Sequence, residues 1–305
     1  MTSFAKPALT TLQQIELLRR RGMHVPDIDR ARHQLDHINY YRLRAYWLPF
    51  EDSSPADGDH RFKDGTDLDT VIAIYDFDRR LRLHLIDAIE RVEISLRARI
   101  ANVLALQHGA FVHEDASRFA DFAEWQRCQD ELSKEYRRSK ETFAAHYRSA
   151  YSQMTSPPLW VACELMTLGH LSRWLKNIRA PGDRQAIANA YGVDEKVLVS
   201  FAHHLTIVRN HCAHHGRVWN RRLSMKMLIP TKKPRGLSEA FNPAADRYIY
   251  NTLTMLAYLM SRISPESEWT RRLIGVLTST PQVNLDAMGF PPDWRVRSVW
   301  HQGTS

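Results

Sequence analysis

LDTVIAIYDFDRRLRLHLIDAIERVEISLRARIANVLAL, residues 68–106, is the stretch whose period sets the architecture. Apolar side chains recur at Leu68, Val71, Ile72, Tyr75, Ile86, Ile89, Val92, Leu96, Ile100 and Val103. Steps of three and four place them on one side of an α-helix, so the spacing predicts one long helix from Leu68 to about Leu106. The same stretch carries Asp78, Arg79, Arg82, Glu90, Glu93 and Arg97. The last four lie close to the apolar stripe, where charges can point into a shared interior site.

Upstream, Thr11 with Gln14 reads as a capping box that opens a helix ending at Gly22, and a second helix is expected from about Asp27 to Ile38. NYYRLRAYWLPF, residues 39–50, mixes aromatics with arginine, and the loop EDSSPADGDH at residues 51–60 breaks any helix. Downstream, residues 124–150 read as a charged helix, Pro157 and Pro158 interrupt the chain, and residues 159–178 resume as helix. The basic loop TKKPRG at 231–236 precedes a further amphipathic helix at 244–263, and the tail from Pro281 reads as irregular. No strand series and no internal repeat stands out, so an all-α fold is expected. Its expected parts are an N-terminal helical, Arg- and aromatic-rich region (1–60), a main helical domain (61–280) and a C-terminal tail (281–305).

Composition narrows the function. The chain of 305 residues has a formal charge of +8, with 33 Arg against 9 Lys. The planar fork of arginine matches phosphate, which favours a polyanionic partner. A hydrophobic content of 44% with eight Trp describes a folded protein and excludes disordered or fibrous classes. Cys128, Cys163 and Cys212 are odd in number and far apart, with no CxxC, so neither a disulfide framework nor a cysteine zinc cage is suggested. The N-terminal residues lack a leader pattern and no apolar window reaches membrane-spanning length, so a cytoplasmic protein without membrane attachment is expected.

The chemistry concentrates in IVRNHCAHHGRVWNRRL, residues 207–223. Asp194 is expected to cap a helix whose apolar positions, Leu198, Phe201, Leu205, Val208, Cys212 and Trp219, step by three and four with one step missing at His215. On a helix running to residue 223, Asn210 and His214 are neighbours and Arg217 follows, forming a polar ridge. Arg209 lies about 100° round the helix and can bend towards it. Arg209 and His214 can then address one phosphate. A histidine can take the 2′-hydroxyl proton of RNA or protonate the leaving 5′-oxygen, while arginine stabilises the phosphorane-like charge, and no metal is required. Non-catalytic surface histidines satisfy the same spacing. His211 and His215 can also share a metal ion, with His203 or His204 nearby. Cys212, however, stands where the HExxH helix has its glutamate, so packing or substrate contact is preferred for His211 and His215.

Other residues fit a nucleic-acid surface. Tyr40, Tyr41, Arg42, Arg44, Tyr46 and Trp47 interleave stacking and phosphate-binding groups, with core packing as the competing account of the aromatics. Arg79 and Arg82 are further candidate RNA contacts. Glu93 and Arg97 either form an intrahelical ion pair or support His214, and Glu164 suggests a structural salt bridge. A different class also fits: the first two helices can form a helix-turn-helix-like module of a non-catalytic RNA- or DNA-binding regulator.

RNHCAHHGRVWNR, residues 209–221, resembles the R-x4-6-H motif of HEPN ribonucleases in the form carried by the Abi-like (AbiD/AbiF) abortive-infection proteins. Arg209, Asn210 and His214 match its R-N-x3-H core. YYRLRAYWLPF at 40–50, FKDGT at 62–66, YDFDRRLR at 75–82, AIERVEISLR at 88–97 and PLWVACELMTLGHLS at 158–172 resemble the same family in the same order. The resemblance implies a multi-helix HEPN-type bundle with an N-terminal helical extension and metal-independent RNA cleavage without a cofactor. It also implies a homodimer, phage defence by shutdown of the infected cell, and an associated noncoding RNA that restrains the protein. Because His215 satisfies R-x5-H, the catalytic histidine stays open between His214 and His215. Arg217 joins His211 and His215 as a catalytic or substrate-contact candidate.

Overall fold

The computed structural model of the chain describes residues 7–52, 60–231 and 233–301. Among them lie fourteen α-helices and no strand. In chain order they are α1 (Thr11–Arg20), α2 (Ile28–His37), α3 (Tyr40–Trp47), α4 (Leu68–His108), α5 (Phe122–Arg138), α6 (Thr142–Ala150) and α7 (Leu159–Leu165). They continue with α8 (Leu168–Asn177), α9 (Pro181–Asn189), α10 (Glu195–Ala213), α11 (Leu237–Ala240), α12 (Ile249–Ile263), α13 (Trp269–Thr278) and α14 (Ser298–His301). The chain divides into two compact units, residues 1–81 with 276–284 and residues 82–275 with 285–305. The interdomain loop expected at 51–60 falls largely outside the described residues. No helix of the described residues is long and apolar enough to cross a membrane.

In the first unit, α1 and α2 pack through Ile15, Leu18, Ala31 and Leu35, all buried. The capping box of α1 is Thr10 with Gln13, one residue before the expected pair, because Thr10 has the extended backbone that an N-cap needs. Asp67 caps α4 by accepting from the Thr70 backbone at 2.7 Å. Tyr46 and Trp47 of α3 are buried, and the Tyr46 hydroxyl donates to the fully buried Asp78 carboxylate at 2.6 Å. A buried carboxylate requires such donors.

The second unit is built round α12, whose residues 249–257 are all buried. Buried on all sides, such a helix contributes roughly 1.5–3 kcal/mol for each large apolar side chain. α10 packs on α8 and α9, and α8 packs on α5. Two expected helices are broken. The segment 124–150 opens at Ser139 and Glu141, which are extended, and the Arg148 guanidinium reaches back to the Tyr136 and Ser139 carbonyls to fold α6 onto α5. The segment 159–178 breaks at Met166, after which Thr167 caps α8 by accepting from the His170 backbone at 3.3 Å. The helix expected from residue 244 begins at Ile249, after a 3-10 turn at Pro243–Ala245. The tail expected to be irregular supplies core. Phe290 lies 4.8 Å from the Tyr250 ring, and Trp300 stacks on Tyr250 at 6.0 Å and is fully buried.

Candidate active site

α10 starts at Asp194, whose carboxylate accepts from the Lys196 backbone at 2.9 Å. Leu198, Phe201, Leu205, Val208 and Cys212 are all buried, so the seam packs within the second unit. On the other side Arg209, Asn210, Ala213 and His214 are exposed. Burying one face fixes the helix while the polar residues are displayed to solvent.

The helix ends at Ala213, ten residues before the expected limit. The backbone N–H of His215 donates to the Cys212 carbonyl at 3.1 Å and that of Gly216 to the His211 carbonyl at 2.7 Å. This pair of bonds is a Schellman motif, with His215 in the left-handed position at φ +57°. Glycine normally fills that position, although histidine is among the residues enriched there. Gly216 must come close to the last turn, since a Cβ there would meet the His211 carbonyl oxygen at 3.3 Å and its Nδ1 at 3.4 Å. The continuous ridge of Asn210, His214 and Arg217 is therefore corrected. Asn210 belongs to the last helical turn, His214 is the C-cap, and Arg217 lies beyond the reversal with its guanidinium 5.8 Å from the Trp219 ring. Trp219 is buried as expected of a seam residue, but it lies in a turn and not on the helix.

His211 is half-buried, and burial followed by the Arg221 cation holds its imidazole below the usual histidine range. His204 is committed to the core. Its Nε2 meets Thr252 Oγ1 at 2.8 Å, its Nδ1 meets the Met225 carbonyl at 3.1 Å, and burial pushes its pKa down to about 4. Both ring nitrogens being engaged, this ring is not free to join His211 and His215 as a metal ligand. His203 is exposed on the solvent side of α10.

Glu93 and Arg97 form the intrahelical pair at 2.7 Å, and the Arg97 guanidinium also donates to the Met166 carbonyl at 2.9 Å. Glu164, read as a carboxylate within an apolar helix, is exposed and lies 3.5 Å from Arg97. This network ties α4 to the junction of α7 and α8. In the first unit, Tyr41 is 69% exposed, Arg42 lies over the Tyr75 ring at 5.8 Å, and Arg44 approaches His60 at 3.4 Å and Glu51 at 3.9 Å. Arg79 is exposed. Arg82, expected on an RNA surface, is only 5% exposed, because it falls on the buried side of α4. Tyr46 and Trp47 are core residues and Tyr40 is half-buried, edge-on to Trp47 at 4.9 Å and accepting from Arg21 at 3.1 Å, which leaves Tyr41 as the most exposed stacking candidate of α3.

Charge is distributed unevenly along the chain, a signal spread over more residues than any one motif. From Lys196 to Ser238 the chain has nine Lys and Arg and no Asp or Glu, whereas the other 262 residues carry 33 basic and 34 acidic side chains. The net charge of the protein thus resides in α10, its terminal turn and the segment after it. A family model described as Abi-like protein matches residues 33–220, which include α4, α10 and the turn. No curated protein and no solved structure matches the chain.

Proposed function

The chain belongs to the Abi-like family, and from that premise we propose that it is a metal-independent endoribonuclease of abortive-infection defence whose reactive groups sit at the end of α10. In this reading His214 removes the 2′-hydroxyl proton of RNA. The 2′-oxygen then bonds to phosphorus and the bond to the 5′-oxygen breaks. That oxygen leaves with a proton, giving a 2′,3′-cyclic phosphate and a 5′-hydroxyl. Arg209 stabilises the charge on the phosphoryl oxygens. The proton donor is the second His214 of a homodimer, since two-fold symmetry brings two copies of one residue to a common cleft.

The observation carrying this reading is the exposure of Arg209, Asn210 and His214 at one end of a helix whose opposite face is locked in the core. These side chains lie outside the buried core. Labelled RNA incubated with the purified protein in EDTA tests the reading. Expected are fragments ending in cyclic phosphate, and none with the His214→Ala protein. Binding without cleavage by the wild type would instead identify a non-catalytic RNA-binding protein.

A further inference from the structure

After the turn at His215 and Gly216 the chain doubles back along α10. Arg221 stands close enough to His211 for its charge to be felt there, the Met225 carbonyl meets His204, and the Leu228 backbone donates to Ser200 Oγ at 2.8 Å. Leu228, Ile229 and Lys233 then share a cavity of about 540 Å³ with Asp194 and Lys196 at the start of the helix. Contacts falling from 211 to 194 as the returning chain rises from 221 to 233 define an antiparallel path. Its length follows α10, about 28 Å for 19 residues. Along the path Leu223 and Met227 are buried, whereas Arg222, Ser224, Lys226 and Leu228 are exposed. Arg222 and Lys226 are each followed by a buried residue, so both face outward beside the inward anchors Leu223 and Met227.

We propose that residues 221–231 and 233–235 form a track that carries the phosphate backbone of single-stranded RNA away from the end of α10, with Arg222, Lys226, Lys233 and Arg235 as its contacts. The proposal rests on the ribonuclease reading for the position of the cleaved bond. Arg222, Lys233 and Arg235 have no carboxylate partner among the described residues. Lys226 has Asp246 at 3.4 Å, but both side chains are largely exposed, a setting in which ion pairs are weak and a phosphate can compete. Arg222, Lys226, Lys233 and Arg235 are all exposed and follow one another along the returning chain, which suits one strand. The track begins immediately after the segment matched by the family model, which ends at residue 220.

The test is fluorescence anisotropy of a 12-nucleotide oligouridylate across a salt series. It compares the wild type with Arg222→Ser/Lys226→Ser and with a charge-matched control, Arg19→Ser/Arg20→Ser, on the exposed end of α1. The track variant should lose at least tenfold in affinity, and its salt slope should flatten by about 1.4, the value for two lost single-strand phosphate contacts. The control should stay within twofold. Wild-type affinity and slope in the track variant, an equal loss in the control, or no binding by the wild type would overturn the track. Cleavage is scored separately: an uncleaved RNA whose binding still depends on Arg222 and Lys226 keeps the track and overturns the ribonuclease reading.

Discussion

The backbone N–H of His214 donates to the carbonyl of Asn210 at 3.0 Å, which closes the last turn of α10 and leaves the imidazole outside the helix. The bond is made by the main chain, so the His214 side chain can be removed without removing the cap.

His214→Ala and Arg209→Ala should therefore each lower RNA cleavage by about 10²–10⁴-fold and leave thermal unfolding unchanged. Asn210→Ala should be milder, because in the proposed reaction Asn210 orients the histidine and exchanges no proton. His211→Ala and His215→Ala are the controls. Loss at either one with an active His214→Ala protein would reassign the catalytic histidine.

His215 holds a left-handed conformation that costs a non-glycine residue about 1 kcal/mol. His215→Gly should raise stability by up to about that amount and His215→Val should lower it, both read by chemical unfolding. A destabilised His215→Gly protein would show that the ring contributes contacts outweighing the strain.

Acid should unfold the second unit through its buried histidines. Burial pushes His113 and His204 down to about 4, so between roughly pH 6.5 and 4 the unfolded chain binds protons that the native state refuses. Stability is full above pH 6.5 and falls as pH drops through this window, by up to roughly 3 kcal/mol per histidine. Urea unfolding at pH 7.5 and 5 measures it. Equal midpoints at the two values would contradict this assignment.

If the proton donor is supplied by a second copy, specific activity should fall on dilution through the dimer dissociation range. Leu198, Phe201, Leu205, Val208 and Cys212 are already buried within one chain, so the contact must use other surface. A folded monomer with full activity would defeat the composite site and require both proton transfers within one subunit.

The helices that reveal themselves in the sequence are those whose burial is periodic. α4 runs from Leu68 to His108 as its spacing predicts, and the α10 seam is buried at every expected position up to Cys212. The end of α10 is hidden for a physical reason. A histidine in the left-handed position carries no glycine signal, and Trp219 falls on the helical spacing although it is buried by a turn. The break between α5 and α6 is equally silent, since Ser139, Lys140 and Glu141 include neither glycine nor proline and the fold-back depends on Arg148. In α3, alternation of Arg with aromatics does not separate the exposed Tyr41 from the buried Tyr46 and Trp47, because only tertiary packing decides which ring faces inward. The acid-free run is visible in the sequence, but only when counted across several elements.

Trp300 and Phe290 complete the aromatic packing round Tyr250 of α12, the helix that also meets α10 through Thr252 and His204. Translation adds roughly 5–20 residues per second, so Trp300 is made about 4–17 s after His214. Throughout that interval the nascent polypeptide holds its histidine cluster on an unclosed core. The aromatic packing round Tyr250 therefore cannot close until residues 290–300 have been made.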